Sequence, residues 1–227
     1  MSEQYYWDEF HGVNAAKLGH YLTQKELTFI ESFLAEHKIK KCLEIGCGSG
    51  RLSRHIIKHK IDLTGIDIDQ TALKILNQRY PKIKTRKVDA SQKLPFTTSS
   101  FDCIMAIEFL DYLTDLDSFF AEVSRVLASG GFFLFTCGNG ANYKKWLQQK
   151  FGRHQGRYLF TTPVITISLS RNNLKLLKLQ GYNWLPVRRE SNNPLIPVFA
   201  HLEKYLGLES LTNFSPSVIG LTQNEKN

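Results

Sequence analysis

Cysteine, proline and methionine are scarce: 227 residues include four, seven and two of them. The cysteines, at 42, 47, 103 and 137, sit in apolar runs and are too few for a disulfide scaffold. They predict buried thiols in a reducing, cytoplasmic compartment. Cys42 and Cys47 lack the spacing of a metal knuckle and the seven histidines are scattered, so no metal site is expected. No stretch approaches the roughly 18 continuous apolar residues that would argue for a membrane-spanning helix. The opening MSEQYYWDEFHG lacks the basic cap and apolar run of a secretory signal. Repeats and low-complexity tracts are also missing. Acid is missing locally: between Tyr143 and Arg189 lie ten Lys and Arg residues and no Asp or Glu, in a chain of net charge +8. Such a field attracts anions, whether nucleic acid, anionic lipid or a phosphorylated substrate, or it serves as a solvated face.

The apolar share of 42% and charged share of 22% suit one globular domain with a sizeable core. Apolar spacing predicts a helix over 23–37, with Thr23 and Glu26 as a capping box. A buried strand follows at 41–45, then CLEIGCGSG opens a glycine loop and a helix over about 50–59. Next come a strand ending in GIDID, a helix over 70–80 capped by Asp69, and an exposed edge strand at 82–89. FDCIMAI reads as a strand covered on both faces. A helix capped by Asp115 is closed by Gly130 and Gly131, and FFLFT is a fifth strand. Beyond 137 the pattern loosens: a helix around 141–151, no definite element over 152–169, and a capped helix over 170–181. YNWLPVR then reads as a strand, PVFAHLEKYLG as a short helix and SVIGLTQ as a closing strand. Alternating strands and helices with short links predict an α/β fold with a mostly parallel sheet.

Glycines after the first strand let a ligand approach the backbone. No Lys-Ser or Lys-Thr follows them, which excludes a triphosphate P-loop. Asp67 ends the second strand, where a carboxylate can accept both hydroxyls of a ribose. That pairing suits a dinucleotide or S-adenosylmethionine. Asp89 ends the third strand and Glu108 follows the fourth, so Gly46, Asp67, Asp89 and Glu108 converge on the crevice beyond the strands' carboxyl ends.

The block Lys41–Thr136 resembles the class I S-adenosylmethionine-dependent methyltransferases, the group that includes small-molecule, quinone and lipid methyltransferases. The matching pieces are CLEIGCGSG, GIDID, VDASQKLPF, SFDCIMAIEFLDYL and FFAEVSRVLASGGFFLF, in the family's order and spacing. The resemblance implies a Rossmann-like sheet of seven strands, order 3-2-1-4-5-7-6, with strand seven antiparallel. It implies that Glu44, Gly46, Cys47, Gly48 and Gly50 surround the methionyl part of the cofactor. Asp67 would hold the ribose, Ile68 would pack on the adenine, and Asp89 with Ala90 would edge it. Glu108 would face the methionine end. Residues 1–38 would form a helical lid, 39–137 the cofactor core and 138–227 the substrate side of a single domain.

Where the family commonly carries a His after strand four, this chain has Tyr112. Candidates for base chemistry are therefore Tyr112, His11 and His154, with Tyr5, Tyr6 and His20 beside them. In-line transfer needs no base if the acceptor is already nucleophilic, since alignment supplies much of the catalysis. Neither DPPY, NPPY nor Pro-Cys follows the fourth strand, so amino-methylation of adenine or glutamine and the covalent pyrimidine route lack their residues. A small acceptor, anionic or amphiphilic, is the expected partner; RNA bound by the basic 143–189 segment is the rival, and a non-catalytic binding subunit a third reading.

Overall fold

The computed structural model describes residues 14–143 and 160–226. Helix α1 (Lys17–Glu36) precedes β1 (Lys41–Ile45), α2 (Ser53–Ile56), β2 (Asp62–Asp67), α3 (Gln70–Arg79) and β3 (Lys84–Lys87). Then follow β4 (Phe101–Ala106), α4 (Leu116–Val126), β5 (Leu127–Gly138), α5 (Thr162–Arg171), β6 (Leu174–Tyr182), α6 (Ile196–Tyr205) and β7 (Ser217–Asn224). The strands form one sheet in the order 3-2-1-4-5-7-6. Strands β1 to β5 pair in parallel, and β7 inserts antiparallel between β5 and β6. This is the Rossmann-like order that the resemblance implied.

Two cores follow from the two-residue period of the strands. Cys42, Cys103 and Met105 face one side, with Leu22, Ile30 and Phe33 of α1, Ile56 of α2 and Leu76 of α3. Leu43, Ile45, Ile104 and Ala106 face the other, with Phe119, Phe120 and Val123 of α4 and Ile165 and Leu169 of α5. All four cysteines are buried and free. Among the described residues no helix is long and apolar enough to cross a membrane.

Asp69 and Asp115 cap α3 and α4 as expected, accepting from Thr71 N and Ser118 N. Elsewhere the structure corrects the reading. Helix α1 begins at Lys17, so Thr23 and Glu26 are buried inside it and cap nothing. The expected 50–59 helix is one short α-turn followed by a 3-10 turn over Ile57–His59, ended by Lys60 in the left-handed region. Helix α4 ends at Val126, before the two glycines, and strand β5 follows directly. The expected helix at 170–181 is strand β6, and YNWLPVR contributes only Tyr182 to it. Leu177 is an extra residue at a register shift between Leu176 and Lys178, so LKLLKL loses its alternation and imitates a helical spacing. The indefinite 152–169 stretch yields most of α5, with a proline in its first turn. The expected 141–151 helix lies almost wholly outside the described residues.

Candidate functional site

Beyond the carboxyl ends of β1, β2 and β4 lies a cavity of about 470 Å³. The loop after β1 is tied to β2, with Gly46 N and Cys47 N both donating to Ile66 O at 2.8 and 3.1 Å. Gly48 has φ +51°, and a Cβ placed there would meet nothing within 4 Å. Its bare backbone therefore forms part of an open cradle. Asp67 fixes that cradle: one carboxylate oxygen accepts from Gly48 N and the other from Asp69 N, both at 2.8 Å. Each oxygen keeps acceptor capacity for a further donor.

Gly46, Cys47, Gly48, Asp67, Ile68, Asp89, Ala90, Glu108 and Tyr112 all line this cavity. Ile68 is 63% exposed and Tyr112 54%, large surfaces for residues next to a core. Asp89 is already engaged by Ser91, whose N–H and hydroxyl donate to one oxygen at 3.0 and 2.7 Å; these bonds draw the carboxyl below its ordinary range. Cys47 contributes backbone, because its thiol is buried and burial pushes it up, out of the reactive range. Two expected residues lie behind the lining. Glu44 shares its face of β1 with Cys42, so it points into the core, where it accepts from Ser53 Oγ. Burial raises Glu44 to about 7, although the Ser53 bond and Arg51 draw it down. Gly50 packs on α3, where an added Cβ would come within 2.5 Å of Leu76 Cδ1. His11 and His154 lie outside the described residues, and His20 is exposed on α1.

One part of the site was not read from the sequence. Glu108 stands in the left-handed region at φ +60°, a strained place for a residue with a side chain. Its N–H is held by Thr136 Oγ1 at 2.7 Å and its carboxylate by Arg189 Nη1 at 2.8 Å. Arg189 also donates to Asn14 Oδ1 at 2.9 Å. Alongside, Arg51 donates to Glu26 at 2.6 Å and to Thr23 at 3.1 Å, and Tyr182 donates to Glu26 at 3.3 Å. Glu26 and Glu108 face each other, and their interaction pushes Glu26 up and Glu108 down. Burial raises Glu26 to about 7, against the pull of Arg51. Burial pushes Glu108 up as well, but Arg189, the interaction with Glu26 and Arg51 overcome it and hold Glu108 at about 2. Arg51 directly follows the glycine motif, a signal that the sequence did offer. Thr23 and Glu26 carried the pattern of a cap, and Arg189 was one among ten basic residues.

Among the described residues, the cavity wall carries Asp67, Asp69, Asp89 and Glu108 against one cation, Arg51, which Glu26 engages. A pyrophosphate would meet repulsion here, whereas a ligand with cationic centres and hydroxyl groups meets acceptors. Among the described residues no group of three or more His, Cys, Asp or Glu is arranged to hold a metal ion.

Residues 43–135 match the family model of the methyltransferase domain. The chain is similar to ubiquinone biosynthesis O-methyltransferase of Pelagibacter ubique, 31% identical over 63% of this chain and 65% of that one. It is also similar to sterol 4-C-methyltransferase strm-1 of Caenorhabditis elegans, 37% identical over 41% of this chain and 29% of that one. It thus spans less than two thirds of either relative's length. Geranyl diphosphate C-methyltransferase of Streptomyces coelicolor, solved with Mg²⁺, geranyl diphosphate and S-adenosyl-L-homocysteine, shares the fold. Its TM-score is 0.65 at 16% identity, covering 90% of this chain and 80% of that one.

Proposed function

We propose, from the premise that residues 43–135 belong to the methyltransferase-domain family, that this protein is an S-adenosylmethionine-dependent methyltransferase. In this reading its acceptor is a small amphiphilic organic molecule; the acid-lined wall disfavours the anionic alternative. The observation that carries the reading is the acid-lined cavity, inside a chain of net charge +8, with its open glycine cradle. Bound there, S-adenosylmethionine supplies a methyl group on a sulfonium for in-line displacement.

Asp67 accepts the ribose hydroxyls through its remaining lone pairs, while its bonds to Gly48 N and Asp69 N keep loop and helix in register. Ile68 covers one face of the adenine, with Asp89 and Ala90 at its edge. Backbone of Gly46, Cys47 and Gly48 lies along the methionyl part, and Glu44 and Gly50 support that loop from behind. Glu108 receives the ammonium group, which suits a carboxylate held ionised at about 2. So low a value makes Glu108 a weak base. Tyr112 is the described candidate for base chemistry on the cavity wall, and His11 and His154 remain candidates from the sequence. Alignment of an already nucleophilic acceptor carries the step if none of them takes a proton.

The relatives' names, which point to ubiquinone biosynthesis and to sterols, support an amphiphilic acceptor over RNA. The same reading keeps one domain, with 39–137 as cofactor core and 138–227 on the acceptor side; of the expected 1–38 lid, α1 is a core helix, packed on the sheet through Leu22, Ile30 and Phe33. Its setting is cytoplasmic, in keeping with four free, buried thiols.

Calorimetric titration with S-adenosylhomocysteine tests the cofactor assignment. The wild type binds, and Asp67→Ala weakens binding by about tenfold or more, the scale of one or two charge-assisted hydrogen bonds. Unchanged affinity in that variant removes the ribose role. Labelled methyl transfer into lipid, metabolite and RNA extracts then identifies the acceptor class, with label in RNA overturning the small-molecule reading.

A further inference from the structure

Arg51 is the one cation that the described residues give the cavity wall, and half of its guanidinium is unused. Nη1 makes both of its described hydrogen bonds, at 2.6 Å to Glu26 Oε2 and 3.1 Å to Thr23 Oγ1. Among the described residues, Nε and Nη2 donate to nothing.

The anchor for Nη1 is rigid. Thr23 and Glu26 stand three residues apart on α1, so they share a face, and both are buried. Tyr182, at the end of β6, donates to Glu26 Oε1 at 3.3 Å. Both oxygens of Glu26 are therefore engaged, and Arg51 is held by acceptors that cannot swing away. Only 11% of the Arg51 side chain is exposed. A guanidinium fixed by one corner and withdrawn from water keeps its other N–H groups pre-ordered for a planar anion.

Charge indicates what the unused edge receives. Glu26 and Glu44 both feel Arg51, but burial raises each to about 7. Near neutral pH they are only partly ionised and leave part of the arginine's charge uncompensated. Glu26 touches Arg51 and faces Glu108, so a cation and an ionised carboxylate stand side by side at one end of the wall. Asp67, Asp69 and Asp89 lie apart from them, at the ends of β2 and β3. The acids of this wall repel a ligand that is only anionic, and Arg51 repels one that is only cationic. An α-amino acid head carries ammonium and carboxylate on one carbon and satisfies both groups.

We propose that Arg51 receives the carboxylate of the cofactor's methionyl part beside Glu108, which takes the ammonium, and that Thr23 and Glu26 of α1 position its guanidinium. Arg51 is then a specificity-determining residue: the site selects the intact amino acid head over an adenosyl thioether that lacks the carboxylate. This assignment rests on the cofactor reading given above. It makes α1, a helix packed on the sheet, a contributor to the cofactor site through Arg51.

Calorimetric titration of the full chain with three nucleosides tests it. They are S-adenosylhomocysteine, its decarboxylated analogue, which keeps the amine, and 5′-methylthioadenosine, which has neither group. The wild type should prefer S-adenosylhomocysteine over the decarboxylated analogue by about tenfold or more, the scale of charge-assisted hydrogen bonds. Arg51→Met should lose about tenfold or more for S-adenosylhomocysteine and no more than about threefold for the decarboxylated analogue, so that the preference collapses. Should Arg51→Met unfold the chain by leaving Glu26 without its cation, the double variant Glu26→Gln, Arg51→Met removes both charges and carries the same expectation. Equal wild-type affinity for S-adenosylhomocysteine and the decarboxylated analogue overturns the proposal without any variant. So does a folded variant that keeps the wild-type preference, or one that weakens all three nucleosides alike, the mark of a purely structural role. Failure of the wild type to bind any of the three would strike the function reading, and this assignment with it.

Discussion

Glu44 and Glu26 are carboxyls with almost no water around them, and each rises from 4.5 to about 7 chiefly through burial. A raised carboxyl favours the folded state while it is protonated. Its contribution is full below the unfolded value of 4.5 and is lost as pH climbs through about 7. Glu108 moves the other way, to about 2, so its contribution is present above 4.5 and changes little between pH 5 and 8. Stability should therefore fall from pH 5 to pH 8. Glu44→Gln, which removes one of the two titrations, should flatten that fall by roughly 2 kcal/mol in urea unfolding. An equal slope in wild type and variant would show that Glu44 does not titrate there. Burial explains in the same way why Cys47, in a glycine loop, is no nucleophile.

The glycine loop shows how one motif divides its work between ligand and fold. Gly48 and Gly50 both have positive φ, but a Cβ at Gly48 meets open cavity and one at Gly50 meets Leu76 at 2.5 Å. Gly50→Ala should thus cost roughly 1–3 kcal/mol of stability through overpacking against α3. Gly48→Ala should cost about 1 kcal/mol from its backbone angle and weaken S-adenosylhomocysteine binding more than Gly50→Ala does. Paired urea and calorimetric titrations separate the two effects, and the opposite ranking would reassign the glycines. Pattern identified both as special without showing which faces the ligand. Strand β6 gives the complementary case, because one bulged residue, Leu177, was enough to make a strand imitate a helix.

Across the molecule, Arg189 joins three distant pieces: Glu108 after β4, Asn14 before α1 and, by its carbonyl, Gly19 in α1. Arg189→Met would leave the half-buried Glu108 without its cation. The expected loss is roughly 3 kcal/mol at pH 7 and less near pH 4, where Glu108 can take a proton instead. A pH-independent loss in urea unfolding would mean that packing of the arginine stem, not its charge, matters. The sequence by itself determined the strand and helix alternation through β5, the caps Asp69 and Asp115, and the convergence of Gly46, Asp67, Asp89 and Glu108. Those features rest on short-range periodicity, on local backbone bonds and on the rule that ligands meet parallel strands at their carboxyl ends. Only the tertiary structure decided that Thr23 and Glu26 serve Arg51 and that Arg189 orients Glu108. Each of these is a contact between residues far apart in the chain, and local periodicity carries no information about which charged side chains burial will force to pair.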